Sequence, residues 1–265
     1  MPRTIVVTGA SSGVGRAAAE QFAAQGDHVV VVGRNPDRLA GAVDAVRAAG
    51  DGREPGRFQA DFEKLDDVRA LAAHLLDTYE TIDVLANNAG GMVERYRRTV
   101  DGFEATMQGN HLAPFLLTSL LRERLRGGRV VNTSSAAHRA GDPDPHDFAG
   151  APGSYRSFPA YGVTKSANIL FAQEAARRWP EVLSVSFHPG VVRTNFGAGK
   201  AVRFLYRYAP FLVSPEKAGG LLVWLANADA LVDGGYYVGH RATKPSVDPA
   251  RAADLWDASA KAVRV

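Results

Sequence analysis

No cysteine occurs among the 265 residues, which excludes disulfide frameworks, thiolate metal sites and cysteine nucleophiles. Nor is there an apolar run near the ~18 residues that a membrane span needs. The amino terminus, Met1-Pro2-Arg3-Thr4-Ile5-Val6-Val7, gives way to glycine and serine before a signal-peptide apolar region forms, so a cytoplasmic location is expected. A dominant charge is also missing. The 31 Lys and Arg against 28 Asp and Glu leave +3, and the basic residues are scattered arginines rather than a stripe, so no nucleic-acid partner is expected. The seven histidines lack ligand spacing, and no metal is expected.

What is present is length and alternation. The chain is about 1.8 times the ~150-residue domain prior, enough for one large α/β domain. Ile5-Val6-Val7 is a short apolar run, followed by a Gly/Ser loop and a helix-like stretch from Val14 to Gln25. His28–Val32 is a second run, stopped by Gly33-Arg34-Asn35-Pro36 ahead of helical composition from Arg38 to Ala49. Further strands are predicted near Arg57–Ala60, Ile82–Ala86, Arg129–Thr133 and Leu183–His188, each followed by a helical segment. This alternation predicts an α/β Rossmann fold: a doubly wound parallel sheet with helices on both faces, in one domain over residues 1–265. The long non-periodic stretch from Ala140 to Pro159 carries four prolines and is either a functional loop or a stiffened surface excursion.

Gly9-Ala10-Ser11-Ser12-Gly13-Val14-Gly15 falls where the first strand turns into the first helix. Glycines there let backbone amides approach a pyrophosphate at a helix N-terminus, although a tight turn alone also calls for glycine. Tyr161 and Lys165 are four apart on a predicted helix and share a face, so an ammonium beside the phenol is expected to lower its pKa.

TGASSGVG resembles the cofactor loop of the short-chain dehydrogenase/reductase superfamily. Three more motifs follow in that family's order: Asn87-Asn88-Ala89-Gly90, Ser134-Ser135, and Tyr161-Gly162-Val163-Thr164-Lys165. Asn110-His111-Leu112, Ser166-Ala167-Asn168-Ile169-Leu170-Phe171, His188-Pro189-Gly190 and Leu255-Trp256 are similar to the retinol-dehydrogenase-like branch. The resemblance implies Tyr161 as proton donor to a substrate carbonyl, Lys165 as its partner and a ligand of the nicotinamide ribose, and Ser135, in preference to Ser134, as a hydrogen-bond donor to the same oxygen. Asn110 matches the asparagine that holds a relay water. The cofactor residues it implies are Gly9, Ser11, Ser12, Gly13, Val14, Gly15, Asp61, Asn87, Ala89, Gly90, Pro189, Gly190 and Thr194, besides Tyr161 and Lys165. Strand two ends in Gly33-Arg34-Asn35, where a carboxylate would select NAD. Arg34 offers a guanidinium suited to a 2′-phosphate, so NADP(H) is expected, unless Arg34 only caps a solvated loop.

NADP(H) selectivity favours reduction of an apolar or aromatic ketone or aldehyde, polyketide-like or retinoid-like. The same residues run in reverse would make an alcohol dehydrogenase, and a non-catalytic NADP-binding sensor is the rival of another class. The segment from about 196 to 213, rich in aromatics such as Phe204, Tyr206 and Phe211, is expected to be a substrate lid; ordinary core packing and a membrane-surface helix are the alternatives. His138, close after Ser135, is a candidate for the substrate mouth. The resemblance also allows a homodimer or homotetramer, paired through the helices that carry Asn110 and Tyr161.

Overall fold

The computed structural model describes residues 2–192 and 212–265. Among them eight strands form one sheet in the order β3-β2-β1-β4-β5-β6-β7-β8. The strands are β1 (Thr4–Thr8), β2 (His28–Gly33), β3 (Gly56–Gln59), β4 (Val84–Asn87), β5 (Arg129–Thr133), β6 (Leu183–His188), β7 (Tyr236–Val238) and β8 (Arg241–Thr243). All pair in parallel except β8, which runs antiparallel to β7. The helices are α1 (Gly13–Ala24), α2 (Pro36–Ala49), α3 (Leu65–Thr78), the short α4 (Ala105–Met107), α5 (Ala113–Leu121), α6 (Ser157–Arg178), α7 (Pro215–Asn227) and α8 (Ala252–Val263).

The period of two along each strand separates two cores. Val6, Val30, Val32, Leu85 and Val130 face α3, α5, α6 and α8, whereas Ile5, Val7, Val29, Val31, Val131 and Val185 face α1, α2 and α7. The apolar runs at the sheet centre are unbroken because both faces are buried. The doubly wound parallel sheet expected from the sequence is therefore present, with β7 and β8 as additions. Each addition has only three residues, and β8 is exposed throughout, so neither carries a readable period.

Asn35 caps α2 with its side-chain oxygen accepting from the Arg38 amide at 2.9 Å, and Pro36 takes the first helical position. Replacing Asn35 with Ala is expected to cost about 1 kcal/mol in denaturant unfolding, with no change in the slope.

At the other end of the chain, Trp256 of α8 lies edge-on to Phe115 of α5 and Trp179, with ring centroids 4.9 and 4.7 Å apart, and tilted against Phe171 of α6. The guanidinium of Arg178 covers the indole of Trp256 from 5.3 Å. α8 thus covers part of the α5 and α6 surface through which relatives were expected to pair. No helix of the described residues is long and apolar enough to cross a membrane.

Candidate active site

The chain order reverses direction across the sheet between β3 and β4, so β1 and β4 lie side by side and the loops leaving them diverge. In open α/β sheets ligands bind outside the carboxyl ends of the strands at such a switch point. Here a cleft of about 1750 Å³ runs across the ends of β1 through β6, lined by Gly9, Gly33, Ala60, Asn88, Ser135 and His188 in turn.

Its floor is the glycine loop. Gly9 and Gly13 have φ of +66° and +58°, and a Cβ on Gly9 would sit 2.8 Å from the Ala89 backbone. Ser11, Ser12, Gly13 and Val14 line the cleft where α1 begins, and α1 has no acid in its first turn. The helix end therefore presents partial positive charge to an anion. Gly15 is placed differently, beneath the cleft: a Cβ there would meet the Asn88 side chain at 2.4 Å, so it lets α1 pack against the turn after β4.

After β4, Asn87 and Asn88 divide the work by strand phase. Asn87 turns inward, donating to Thr118 at 2.9 Å and to Asn132 at 3.0 Å, and so ties β4 to α5 and β5. Its side chain does not line the adenosine side of the cleft, where it was expected. Asn88 lines the cleft instead, and its amide donates to the Thr8 carbonyl at 3.0 Å. Ala89 and Gly90 also line it.

At the end of β2, Arg34 is exposed at the mouth, 3.2 Å from Glu63 and 3.6 Å from Asp61. Arg97 is paired to the same Glu63, and Arg38 reaches the cleft from α2. Arg38 and Arg97 were not singled out in the sequence, because three separate segments bring them together.

Ser134 and Ser135 also separate. The buried Ser134 hydroxyl donates to the Lys165 carbonyl at 2.8 Å, pinning β5 to α6. Ser135, in extended backbone, caps the turn Ala136–Ala140 and hydrogen-bonds the Tyr161 hydroxyl. Lys165, one helical turn beyond Tyr161, places Nζ 5.2 Å from the phenol ring centre and donates to the Thr133 carbonyl at 3.0 Å. Burial lowers Lys165 to about 8 and raises Tyr161 to about 12, against the contribution of Ser135. Desolvation thus raises the phenol, where a lowering by the neighbouring ammonium was expected.

Asn110 sits in a π-helical turn, Gln108–Leu112, between α4 and α5. Its amide hydrogens go to the Gly91 carbonyl at 2.9 Å and Thr164 at 3.0 Å, while Oδ1 accepts from the Gly91 amide at 2.8 Å. The side chain clamps the loop after β4 onto α6, and both its donors are used. Gly90 passes so close that a Cβ would lie 2.7 Å from Asn110 Oδ1.

The opposite wall is apolar. Met92, Val93, Phe158, Val191 and Val192 line the mouth, with Phe158 and Val191 exposed by 56% and 49%. The Ala140–Pro159 stretch is a docked wall rather than a free excursion: Phe148 is buried in the core, and Tyr155 donates to the Val93 carbonyl at 2.6 Å. His138 turns away from the mouth into the protein, with Nε2 accepting from the Ser246 amide at 3.1 Å and the ring edge-on to Tyr236. His188 lines the cleft in its stead, and its Nδ1 accepts from Ala136 at 3.3 Å. Pro189 and Gly190 also line the cleft; Thr194 and the expected lid, except Leu212 and Val213, lie outside the described residues.

Two tests support a dinucleotide in this cleft. Gly9 and Gly33 let the glycine loop pack against the Ala89 backbone and against the end of β2 through Ser11, and the α1 terminus so held faces the cleft. The comparisons agree. Residues 3–201 match the family model described as short chain dehydrogenase. A Streptomyces sp. (strain C5) protein named "Putative daunorubicin C-13 ketoreductase DnrU" is 52% identical over 98% of this chain and 92% of its own. Human retinol dehydrogenase 13 is 32% identical over 98% of this chain and 84% of its own. A solved Escherichia coli CFT073 structure, titled a "putative short chain dehydrogenase" complexed with NADPH, superposes with TM-score 0.67 at 28% identity, covering 86% of this chain and 91% of that one. With this cleft, these motifs and these relatives, the chain belongs to the short chain dehydrogenase family, as an oxidoreductase of its retinol-dehydrogenase-like branch that takes a nicotinamide cofactor.

Proposed function

We propose that the protein is an NADPH-dependent reductase of apolar or aromatic ketones and aldehydes. The observation that carries this reading is the meeting of the Ser135 and Tyr161 hydroxyls, with the Lys165 ammonium behind them, in a cleft whose outer wall is apolar. The bound nicotinamide would supply the hydride. Gly9, Ser11, Ser12, Gly13 and Val14 would take the phosphates, Asp61, Ala89 and Gly90 the adenosine, Pro189 and Gly190 the nicotinamide, and Lys165 with Tyr161 the ribose beside it. Arg34 would face the 2′-phosphate. Its ion pairs with Asp61 and Glu63 are exposed, so the guanidinium can turn toward a phosphate at little cost.

The proton inventory suits reduction. A phenol raised to about 12 is loaded with its proton at neutral pH. Ser135 polarises the carbonyl oxygen and Tyr161 donates to it as negative charge develops there. Lys165 stabilises the phenolate left behind only while charged. Its pKa of about 8 predicts that the reduction rate is level at lower pH and falls as the pH rises past about 8. A rate that stays level to pH 10 in a pH series would contradict this.

The similarity to DnrU favours a ketone carried on a polycyclic aromatic compound, and the exposed Phe158 and Val191 fit a flat apolar ring system. The direct test follows NADPH consumption over a panel of polycyclic, simple aromatic and aliphatic ketones, with the matching alcohols and NADP+ in the reverse sense. Turnover favouring polycyclic ketones is expected. Reaction only with alcohols would place the protein among dehydrogenases, and silence in both directions among binding proteins.

A further inference from the structure

The peptide group between Ser135 and Ala136 is held at both ends by imidazoles. Nδ1 of His138 lies 2.8 Å from its carbonyl oxygen, and Nδ1 of His188, at the end of β6, lies 3.3 Å from its amide nitrogen. A trans peptide points these two groups in opposite directions, so the rings grip it from opposite sides. Their partners also fix both tautomers. The backbone amide of Ser246 can only donate, and it meets His138 Nε2 at 3.1 Å, so the proton of that ring is on Nδ1, where the Ser135 carbonyl accepts it. The Ala136 amide likewise only donates, so Nδ1 of His188 holds the lone pair and the proton is on Nε2. The two rings carry opposite tautomers. His138 is itself anchored on three sides: its ring lies edge-on to Tyr236 of β7 at 5.1 Å, its main-chain amide donates to the Ser135 carbonyl at 3.1 Å, and its own carbonyl accepts from Ser166 of α6 at 2.7 Å.

We infer that His138 and His188 clamp the peptide between Ser135 and Ala136 and thereby aim the Ser135 hydroxyl at the reacting oxygen. This inference rests on the reading of Ser135 as a group that holds the ketone oxygen. Fixing the plane of that peptide fixes the rotation about the Cα–C bond of Ser135, whose backbone is extended, and so the direction of its side chain. The hydroxyl oxygen accepts from the Ala137 amide at 3.2 Å, which leaves its hydrogen for donation. His138 is a positioning residue: it does not line the cleft, whereas His188 does. The clamp also gives β7 and β8 a role, because the segment that follows them brings Ser246 to the His138 ring.

Such a clamp holds only while both rings are neutral, since protonation would put hydrogens on the two accepting nitrogens. Burial keeps both imidazoles below the ordinary 6.5, and the Arg139 guanidinium acts in the same sense on each, while the Ser135 carbonyl opposes it at His138. The charged and titratable groups around the pair are Arg139 of the same turn, Tyr236 of β7, and Tyr161 and Lys165 of α6, which line the cleft with His188. At neutral pH, where Lys165 is still charged, the clamp is therefore closed.

Nitrogen NMR of the whole protein labelled at histidine, with signals assigned through His138→Asn and His188→Asn, reads the tautomers directly. At neutral pH both rings should be uncharged, His138 protonated on Nδ1 and His188 on Nε2. The kinetic test replaces His138 alone. Asparagine can place an N–H where Nδ1 stands, glutamine offers its polar atoms where Nε2 stands, and phenylalanine keeps the ring without either. His138→Phe is expected to lower kcat for ketone reduction about tenfold, as for loss of a buried hydrogen bond, with NADPH affinity in a fluorescence titration unchanged. His138→Asn should recover most of that loss and His138→Gln little of it, in an order that the unfolding midpoints do not follow. A proton on Nε2 of His138, a charged ring at either position, or His138→Gln as active as His138→Asn would overturn the clamp, as would a folded His138→Phe with wild-type kcat. Should His138→Phe fail to fold, the wild-type tautomers and the comparison of asparagine with glutamine decide. Ser135→Ala is the control: if it kept full turnover, the reading of Ser135 would fail by itself, and the tautomers alone would then judge the clamp.

Discussion

Tyr161→Phe is expected to lower kcat for ketone reduction by about 10²- to 10⁴-fold, the range that a positioned general acid supplies. The substitution removes one hydroxyl and keeps the ring, so the packing of α6 and the aromatic surface beneath the Lys165 ammonium are retained. The unfolding midpoint should therefore change little, and NADPH affinity should weaken only severalfold, the value of one hydroxyl contact to the ribose. The loss should fall on kcat, since the phenol is most useful while the carbonyl oxygen is becoming charged. Ser135 would remain to hold that oxygen, which accounts for a residue of activity. Initial rates at saturating ketone and NADPH, with NADPH binding measured separately, check this. A loss below fivefold would mean that the proton comes from elsewhere.

The second large effect concerns the cofactor. Arg34→Ala is expected to reduce kcat/KM for NADPH by about 10- to 100-fold, the value of a charge-assisted hydrogen bond to a phosphate, and to leave the value for NADH nearly unchanged. The side chain is exposed and pairs, among the described residues, with Asp61 and Glu63, so its removal should not disturb the fold. Arg38 and Arg97 reach the same part of the cleft and would retain some preference for the phosphate. Measuring both cofactors with wild type and variant gives a ratio free of differences in active fraction. An equal loss for both would show that Arg34 shapes the site without reading the 2′-phosphate.

The regular part of the fold was legible because it rests on local chemistry. Runs such as Ile5–Val7 and Val29–Val32 are β-branched and buried on both faces, and Gly9 and Gly33 mark where those strands must stop. The short β7 and β8 offered no such run. At the site, motif order located the segments, but neighbours within a motif were separated only by direction. Strand phase turns Asn87 in and leaves Asn88 at the cleft, and Ser134 is taken by the Lys165 carbonyl while Ser135 meets Tyr161. Tyr161 shows the limit of reading a pair from spacing: burial, which spacing does not reveal, raises the phenol against the Ser135 hydrogen bond. The cluster of Arg34, Arg97 and Glu63, and the contact of His111 with Ser259 on the last helix, arise from packing of distant segments and left no local signal.

Transfer of deuterium from NADPH labelled at the nicotinamide C4 to a polycyclic aromatic ketone tests the central claim most directly. Mass spectrometry of the alcohol formed should show one added deuterium on the carbinol carbon with the wild-type protein, and almost no product with Tyr161→Phe. NADPH that binds but yields no labelled alcohol, or labelled alcohol formed equally fast without the Tyr161 hydroxyl, would contradict the account.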